Sequence, residues 1–144
     1  MAFVNEYIPE SDYEKYDLRR ICGEHNLPSR RGRMHSRDWT IDRERDAFLI
    51  KVWAQHESEF SGWAFYWKGE WIFFEVMGTG GGGRQPDGSC WYGYRIKRFA
   101  LPDHLESHRS QIIADLTQAF GDYCGGGVFS SYRRGTSSIE FIQE

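Results

Sequence analysis

The sequence predicts the α+β class, with an antiparallel β-sheet of about five to seven strands packed on one face by a single long helix at about residues 104–120. Residues 62–76 hold seven aromatic side chains among fifteen, and such side chains are enriched in strands. Several other segments alternate apolar and polar residues, which is the period of a strand. Residues 103–120 instead combine a helix start signal with helical spacing of apolar side chains.

The length and composition are those of a globular protein. A chain of 144 residues can bury roughly 70% of the surface that its unfolded form exposes. Hydrophobic residues make up 40% and charged residues 27%, which argues against disorder of the whole chain. We therefore predict a single domain over residues 1–144, with an N-terminal helix and arm in 1–45 and a sheet-plus-helix core in 46–144.

The N-terminal segment predicts one short helix followed by an irregular arm. Ser11 is a candidate N-cap, and Glu14 stands three residues later as in a capping box, so a helix is expected over 11–22. Residues 23–37 contain Pro28 and two glycines without any apolar period. This composition is typical of a loop or arm.

The next segments predict two β-hairpins. Trp39 and Ile41 alternate with polar residues, and residues 47–53 are apolar on both faces, which is typical of an interior strand. In the second hairpin, Lys68-Gly69 is expected to form a two-residue turn. Period-two alternation then places these side chains on one face: Trp63, Phe65, Trp67, Ile72, Phe74 and Val76. The opposite face receives Ala64, Tyr66, Lys68, Trp71, Phe73 and Glu75.

The C-terminal half predicts a strand, a helix and a final hairpin. A glycine-rich loop after Val76 leads to an alternating strand over 90–99. Asp103 is a candidate N-cap, with Glu106 three residues later. Residues 128–132 and 138–142, joined by a turn at 133–137, are expected to form the last hairpin.

Three motifs suggest chemistry, but their contexts argue against it. The glycine pattern at 78–83 matches G-x-G-x-x-G, yet Pro86 follows where a dinucleotide site needs a helix. Cys90 follows Gly88-Ser89 as in papain-like proteases, but it begins a predicted strand rather than a helix. His104 and His108 are four residues apart without a third metal ligand nearby. An enzyme using Cys90 or these histidines is therefore a third-ranked hypothesis, and no cofactor or metal is expected.

The spacing of the cysteines and the composition of the N-terminal segment favour a cytoplasmic location for the protein. The three cysteines are widely separated and include no C-x-x-C pair, which is typical of a reducing compartment. The N-terminal segment has no basic region followed by an apolar run, and no stretch is long and apolar enough for a membrane span. We expect a cytoplasmic protein.

The remaining functional signal lies on the hairpin face that carries Tyr66, Trp71 and Phe73, together with the strand at 90–99. If these strands pair, the following aromatic and cationic side chains share one surface: Tyr66, Trp71, Phe73, Trp91, Arg95 and Lys97. Trp, Tyr and Arg dominate binding hot spots, so the leading hypothesis is a protein-binding module, such as a stoichiometric inhibitor, an immunity protein or a regulatory adaptor. The competing structural interpretation is that the N-terminal segment, the arm or the last hairpin covers this face.

A second functional hypothesis depends on the arginines of the arm. Residues 19–45 hold eight arginines against four acidic residues, although the net charge of the chain is −3. A nucleic-acid or nucleotide site would use phosphate contacts from Arg30, Arg31, Arg33 and Arg37 and base stacking on the aromatic face.

Overall fold

A computed structural model describes residues 3–6, 8–22, 39–54, 61–84, 89–123 and 133–142. Within these ranges, only the backbone is described at residues 53–54, 78–84, 89–92 and 133–138. All statements about contacts below refer to these residues.

The described elements are seven strands, three α-helices and a 3₁₀-helix. The strands are β1 (Val4–Glu6), β2 (Trp39–Asp42), β3 (Ala47–Ala54), β4 (Ser61–Trp67), β5 (Glu70–Arg84), β6 (Ser89–Ala100) and β7 (Arg133–Phe141). The helices are α1 (Ser11–Lys15), α2 (Leu18–Cys22) and α3 (Arg109–Asp122), and the 3₁₀-helix (Asp103–His108) leads directly into α3.

All seven strands form one sheet in sequence order, β1-β2-β3-β4-β5-β6-β7. The first five pairings are antiparallel and the β6–β7 pairing is parallel. A parallel neighbour requires a crossover connection, and the helix at 103–122 lies in that connection. The predicted α+β class, the strand number and the single long helix are confirmed.

The β4–β5 hairpin has the predicted turn and register. Lys68 and Gly69 have φ angles of 48° and 92°, and positive φ at both central residues is what a type I′ turn requires. Trp67 therefore pairs with Glu70 and Tyr66 with Trp71. This register fixes which side chains of the hairpin face each side of the sheet.

Both predicted capping boxes are wrong. The N-terminal helix begins with Glu10 as N-cap instead of Ser11, and it is broken into α1 and α2 at Asp17, whose φ is 58°. The long helix has Pro102 as N-cap, and its first six residues form a 3₁₀-helix. Neither N-cap makes a side-chain hydrogen bond to the helix. Most of the stability of helices in proteins comes from tertiary packing of their apolar faces.

Two other sequence predictions are corrected. The glycine run after Val76 is not a loop, because residues 78–84 continue β5 and pair with β6. The predicted turn at 133–137 lies inside β7, which runs parallel to β6, and the predicted strand at 128–132 lies outside the described residues. In both cases a neighbouring strand supplies the backbone hydrogen bonds that local turn signals could not anticipate.

The main core lies between the sheet and α3. The predicted inward face of the β4–β5 hairpin is confirmed, because all six of its side chains are buried in this cluster. From α3 the cluster receives Ile112, Leu116, Ala119 and Phe120. These residues recur at the helical period, which places them on one side of the helix.

A second core lies on the opposite side of the sheet, under α1 and α2. The helices contribute Tyr13, Leu18, Ile21 and Cys22, and the sheet contributes Trp39, Ile41, Phe48, Ile50 and Ala64. The buried sheet residues of this cluster come from β2, β3 and β4, and the partly buried Trp71 of β5 packs against them. The sheet is therefore covered on both sides over its N-terminal strands.

One buried carboxylate links α3 to the sheet. Asp115 is 6% exposed and accepts hydrogen bonds from Trp67 Nε1 and Gln111 Nε2, each at 2.9 Å. Arg45 Nη1 also lies 3.3 Å from Asp115 Oδ1 and forms an ion pair with this carboxylate. The carboxylate thereby holds α3 over the β2–β3 turn and the β4–β5 hairpin.

None of the described helices is long and apolar enough to cross a membrane.

Candidate functional site

We use the term outer face for the side of the sheet opposite α3. Over β2–β4 it is covered by α1 and α2, but the second core contains no buried residue from β5 or β6. The face therefore divides into a covered half and an open half. The predicted aromatic and cationic surface extends across this boundary.

Tyr66 and Trp71 lie at the boundary and are half-buried. The ring of Tyr66 stacks on Phe48 with 5.0 Å between ring centroids, and Trp71 meets Phe48 edge-on at 5.4 Å. Tyr16 of the N-terminal segment also contacts Tyr66, at 5.0 Å. The N-terminal segment thus covers this part of the predicted surface, as the competing interpretation expected.

Phe73 and Met77 lie in the open half. Phe73 is 41% exposed and Met77 is 36% exposed. The Phe73 ring stacks on Trp71 with 6.2 Å between centroids and 18° between planes. The exposed Phe73 ring therefore packs on Trp71, which in turn packs on Phe48 of the second core. These contacts hold the Phe73 ring in place.

Arg95, Lys97 and Arg98 provide positive charge beside these apolar groups. Arg95 is exposed and Lys97 is half-buried, and their backbones pair with Gly78 and Glu75 respectively. Arg98 has a φ of 54° at a register shift and bonds Glu75 through Nη1 at 2.8 Å. Glu75 is the acidic residue between the apolar and cationic parts of the open half.

A shallow depression of ≈ 250 Å³ lies beside Phe73. Its lining includes Val52 from β3, Gly62 from β4 and Glu75 from β5. Gly62 pairs with Glu75 and has no side chain to fill the space between the neighbouring strands. The open half therefore combines an exposed ring, a small recess and a cationic border.

The pKa of the Tyr66 phenol is raised above its ordinary value of 10.0. Partial burial is the largest cause, followed by the negative charge of Asp46 and the proximity of Tyr16. The neutral phenol is therefore favoured in the folded protein, so its contribution to stability is complete below the unfolded pKa. That contribution is lost as the pH rises through the folded pKa.

This shift predicts a specific alkaline destabilisation. Between the unfolded pKa near 10 and the raised folded pKa, the free energy of unfolding should fall with pH more steeply in the wild type than in Tyr66→Phe. Urea unfolding of both proteins at a series of pH values above neutrality measures the difference. Parallel pH profiles would contradict the shift.

The side chains of the remaining predicted site residues are not described by the structure. Trp91 belongs to β6, but its side chain is not described. Arg30, Arg31, Arg33 and Arg37 lie outside the described residues.

The candidate catalytic residues make ordinary structural contacts where they are described. His104 Nε2 lies 2.9 Å from Glu70 Oε1, and the His108 ring packs on Trp67 at 5.5 Å. Both histidines lie in the 3₁₀-helix, so the predicted α-helical spacing does not apply. Cys90 lies in β6, with its side chain undescribed. Among the described residues, no three His, Cys, Asp or Glu side chains cluster as metal ligands do.

The comparisons name no relative. Family models, curated proteins and solved structures all give no match to this chain.

Sequence reasoning did not include Met77 or the depression in the candidate site. Met77 continues the alternation of Phe73 and Glu75 and could have been placed on the outer face by period two. The depression could not be found in this way, because Val52 and Gly62 come from separate strands that the fold brings together.

Proposed function

We propose that the protein is a protein-binding module whose docking surface is the open half of the outer face. The observation that carries this proposal is the position of Phe73. Its side chain is 41% exposed, yet its ring stacks on Trp71. A rigidly held aromatic side chain loses little conformational entropy on binding and buries a large area. Such residues are typical binding hot spots.

The charges of the open half favour an acidic partner surface. Arg95 and Lys97 border the apolar part, while Glu75 is already bonded to Arg98. A partner that places an apolar side chain in the depression and carboxylates near Arg95 would complement both features. A stoichiometric inhibitor or adaptor in the cytoplasm fits this arrangement.

The proposal predicts that a Phe73→Ser, Arg95→Glu double variant loses its partner. Affinity pull-down from source-cell lysate should recover a stoichiometric protein with the wild type but not with the variant. Circular dichroism and thermal unfolding verify that the variant remains folded, which is expected because both side chains are exposed.

The matched control is Val4→Ser, which removes a side chain that is 49% exposed on the edge strand β1. This variant should recover the partner as well as the wild type does. Equal recovery by the double variant would refute the docking surface. Recovery that disappears after nuclease treatment would favour nucleic acid as the partner instead, as the arginine-rich arm suggested.

A further inference from the structure

Among the residues that the structure describes, Arg98 alone combines a side chain and a positive φ with a position inside a strand. Its φ is 54°, and it belongs to β6. The other described non-glycine residues with positive φ lie in turns: Asp17, Asp46 and Lys68. This backbone conformation is unfavourable for a long side chain, and such strain concentrates at binding and active sites. The backbone therefore marks Arg98 as a candidate functional residue.

A β-bulge accompanies the unusual conformation of Arg98. Phe73 pairs with Ala100 and Glu75 pairs with Lys97, so β6 advances by three residues where β5 advances by two. Arg98 Nη1 lies 2.8 Å and 3.1 Å from the two carboxylate oxygens of Glu75. Bulges of this kind re-aim a side chain, and here the side chain is directed to the open half of the outer face.

Arg98 is the exposed cation nearest to Phe73 in the strand register. It is two residues from Ala100, the strand partner of Phe73, whereas the exposed Arg95 is five residues from Ala100. Glu75, which bonds Arg98, lies two residues from Phe73 on the same face, about 7 Å along the strand. One peptide segment can therefore contact the Phe73 ring and the Arg98 guanidinium together.

The ion pair with Glu75 holds the Arg98 side chain without burying it. The Arg98 side chain is 55% exposed. A guanidinium carries five N–H donors, and both contacts with Glu75 come from Nη1. Arg45 of the same protein pairs with two carboxylates at once, those of Asp42 and Asp115. Arg98 can likewise bind a second carboxylate while it stays paired with Glu75.

The charges around Arg98 favour an anionic group. On the outer face, the described side chains of β5 and β6 include three cations, Arg95, Lys97 and Arg98. The acidic side chains beside them are Glu75 and, in register with Arg95 on β7, Glu140. Positive charge is therefore in excess on this surface, which complements an acidic partner.

We propose that Arg98 determines the specificity of the docking surface, and that the partner is a peptide segment in which a carboxylate lies close to an apolar side chain. The apolar side chain packs on Phe73, and the carboxylate accepts hydrogen bonds from the Arg98 guanidinium. In an extended segment, side chains two residues apart lie about 7 Å apart on one face, which matches the spacing of Phe73 and Glu75. This inference rests on the proposed docking function and adds the chemistry of the partner to it.

The probe is a phage-displayed library of random linear peptides, selected on the immobilised full chain. Peptides enriched on the wild type should carry an apolar residue two positions from an Asp or Glu, and Phe73→Ser should abolish their binding. Enriched peptides that need Phe73 but contain no acidic residue would overturn the role of Arg98 and leave the docking surface standing. Absence of any enrichment on the wild type would overturn the docking surface and this inference with it.

Arg98→Asn removes the charge, and asparagine tolerates the positive φ. Fluorescence anisotropy should show that a synthetic enriched peptide binds this variant at least about tenfold more weakly than the wild type. An analogue peptide with an amide in place of the carboxylate should lose less than about twofold on the same substitution. The matched control is Arg109→Gln, because Arg109 is also exposed and ion-paired, with Glu106, but lies on α3. This control should bind the peptide as the wild type does.

A double variant separates a direct contact from a change in charge balance. Arg98→Asn removes the cation that is paired with Glu75, so the Glu75 carboxylate can then repel an acidic peptide. In Glu75→Gln, Arg98→Asn that repulsion is absent, and affinity should still be at least about tenfold below the wild type. Circular dichroism verifies that each variant is folded. Recovery of wild-type affinity in the double variant, or equal losses for the acidic peptide and its amide analogue in Arg98→Asn, would overturn the proposal.

Discussion

Phe120→Ala is expected to lower the free energy of unfolding by about 3–5 kcal/mol. Phe120 is fully buried in the core between α3 and the sheet. Its ring stacks on Tyr94 at 4.2 Å and contacts Trp63 at 5.1 Å and Phe74 at 6.0 Å. The truncation removes contacts to three rings from three strands, and the surrounding core can collapse only partly into the space.

This loss is a large share of the stability of a domain, which is about 5–15 kcal/mol in total. Urea unfolding followed by tryptophan fluorescence measures it. The control is Phe73→Ala, which removes the same side chain from the open half of the outer face and should cost less than about 1 kcal/mol. Similar losses in the two variants would contradict the assignment of Phe120 to the core and Phe73 to the surface.

Asp115→Ala is expected to lower the free energy of unfolding by about 2–3 kcal/mol. The Trp67 indole N–H loses its acceptor at 2.9 Å in a buried position. Arg45 loses one of its two carboxylate partners. It keeps the other, Asp42, whose Oδ2 lies 2.9 Å from Arg45 Nε. The cost is thus dominated by the unsatisfied indole donor and not by a fully isolated charge.

A double-mutant cycle isolates this hydrogen bond. Trp67→Phe removes the indole N–H, so Asp115→Ala should cost less in that background than in the wild type. Asp115→Asn should lose less stability than Asp115→Ala, because its amide oxygen can still accept from Trp67. Additive effects of the Trp67 and Asp115 substitutions would show that the two side chains are not coupled.

The sequence was sufficient to predict the central hairpin. Lys68-Gly69 specifies a tight turn, and the turn fixes the register through Trp67 and Glu70. Once the register is fixed, period-two alternation assigns every hairpin side chain to a face. The helix at 103–122 was also predictable, because its apolar positions repeat at the helical period.

The candidate site could be predicted only in part. Alternation placed Tyr66, Trp71 and Phe73 on one face, but it could not show that Tyr16 would cover Tyr66 while Phe73 stayed exposed. That difference depends on where α1 and α2 pack, and their packing joins residues far apart in sequence.

The sequence by itself therefore determined the elements whose signals are local: the Lys68-Gly69 turn, the two faces of its hairpin and the apolar side of α3. Only the tertiary structure decided that residues 78–84 form a strand, that β7 runs parallel to β6, and which half of the outer face stays open. The physical reason is that turns and periodic faces arise from backbone preferences of adjacent residues. Which strands pair, and which part of the sheet the helices cover, depend on burial and hydrogen bonding between distant segments.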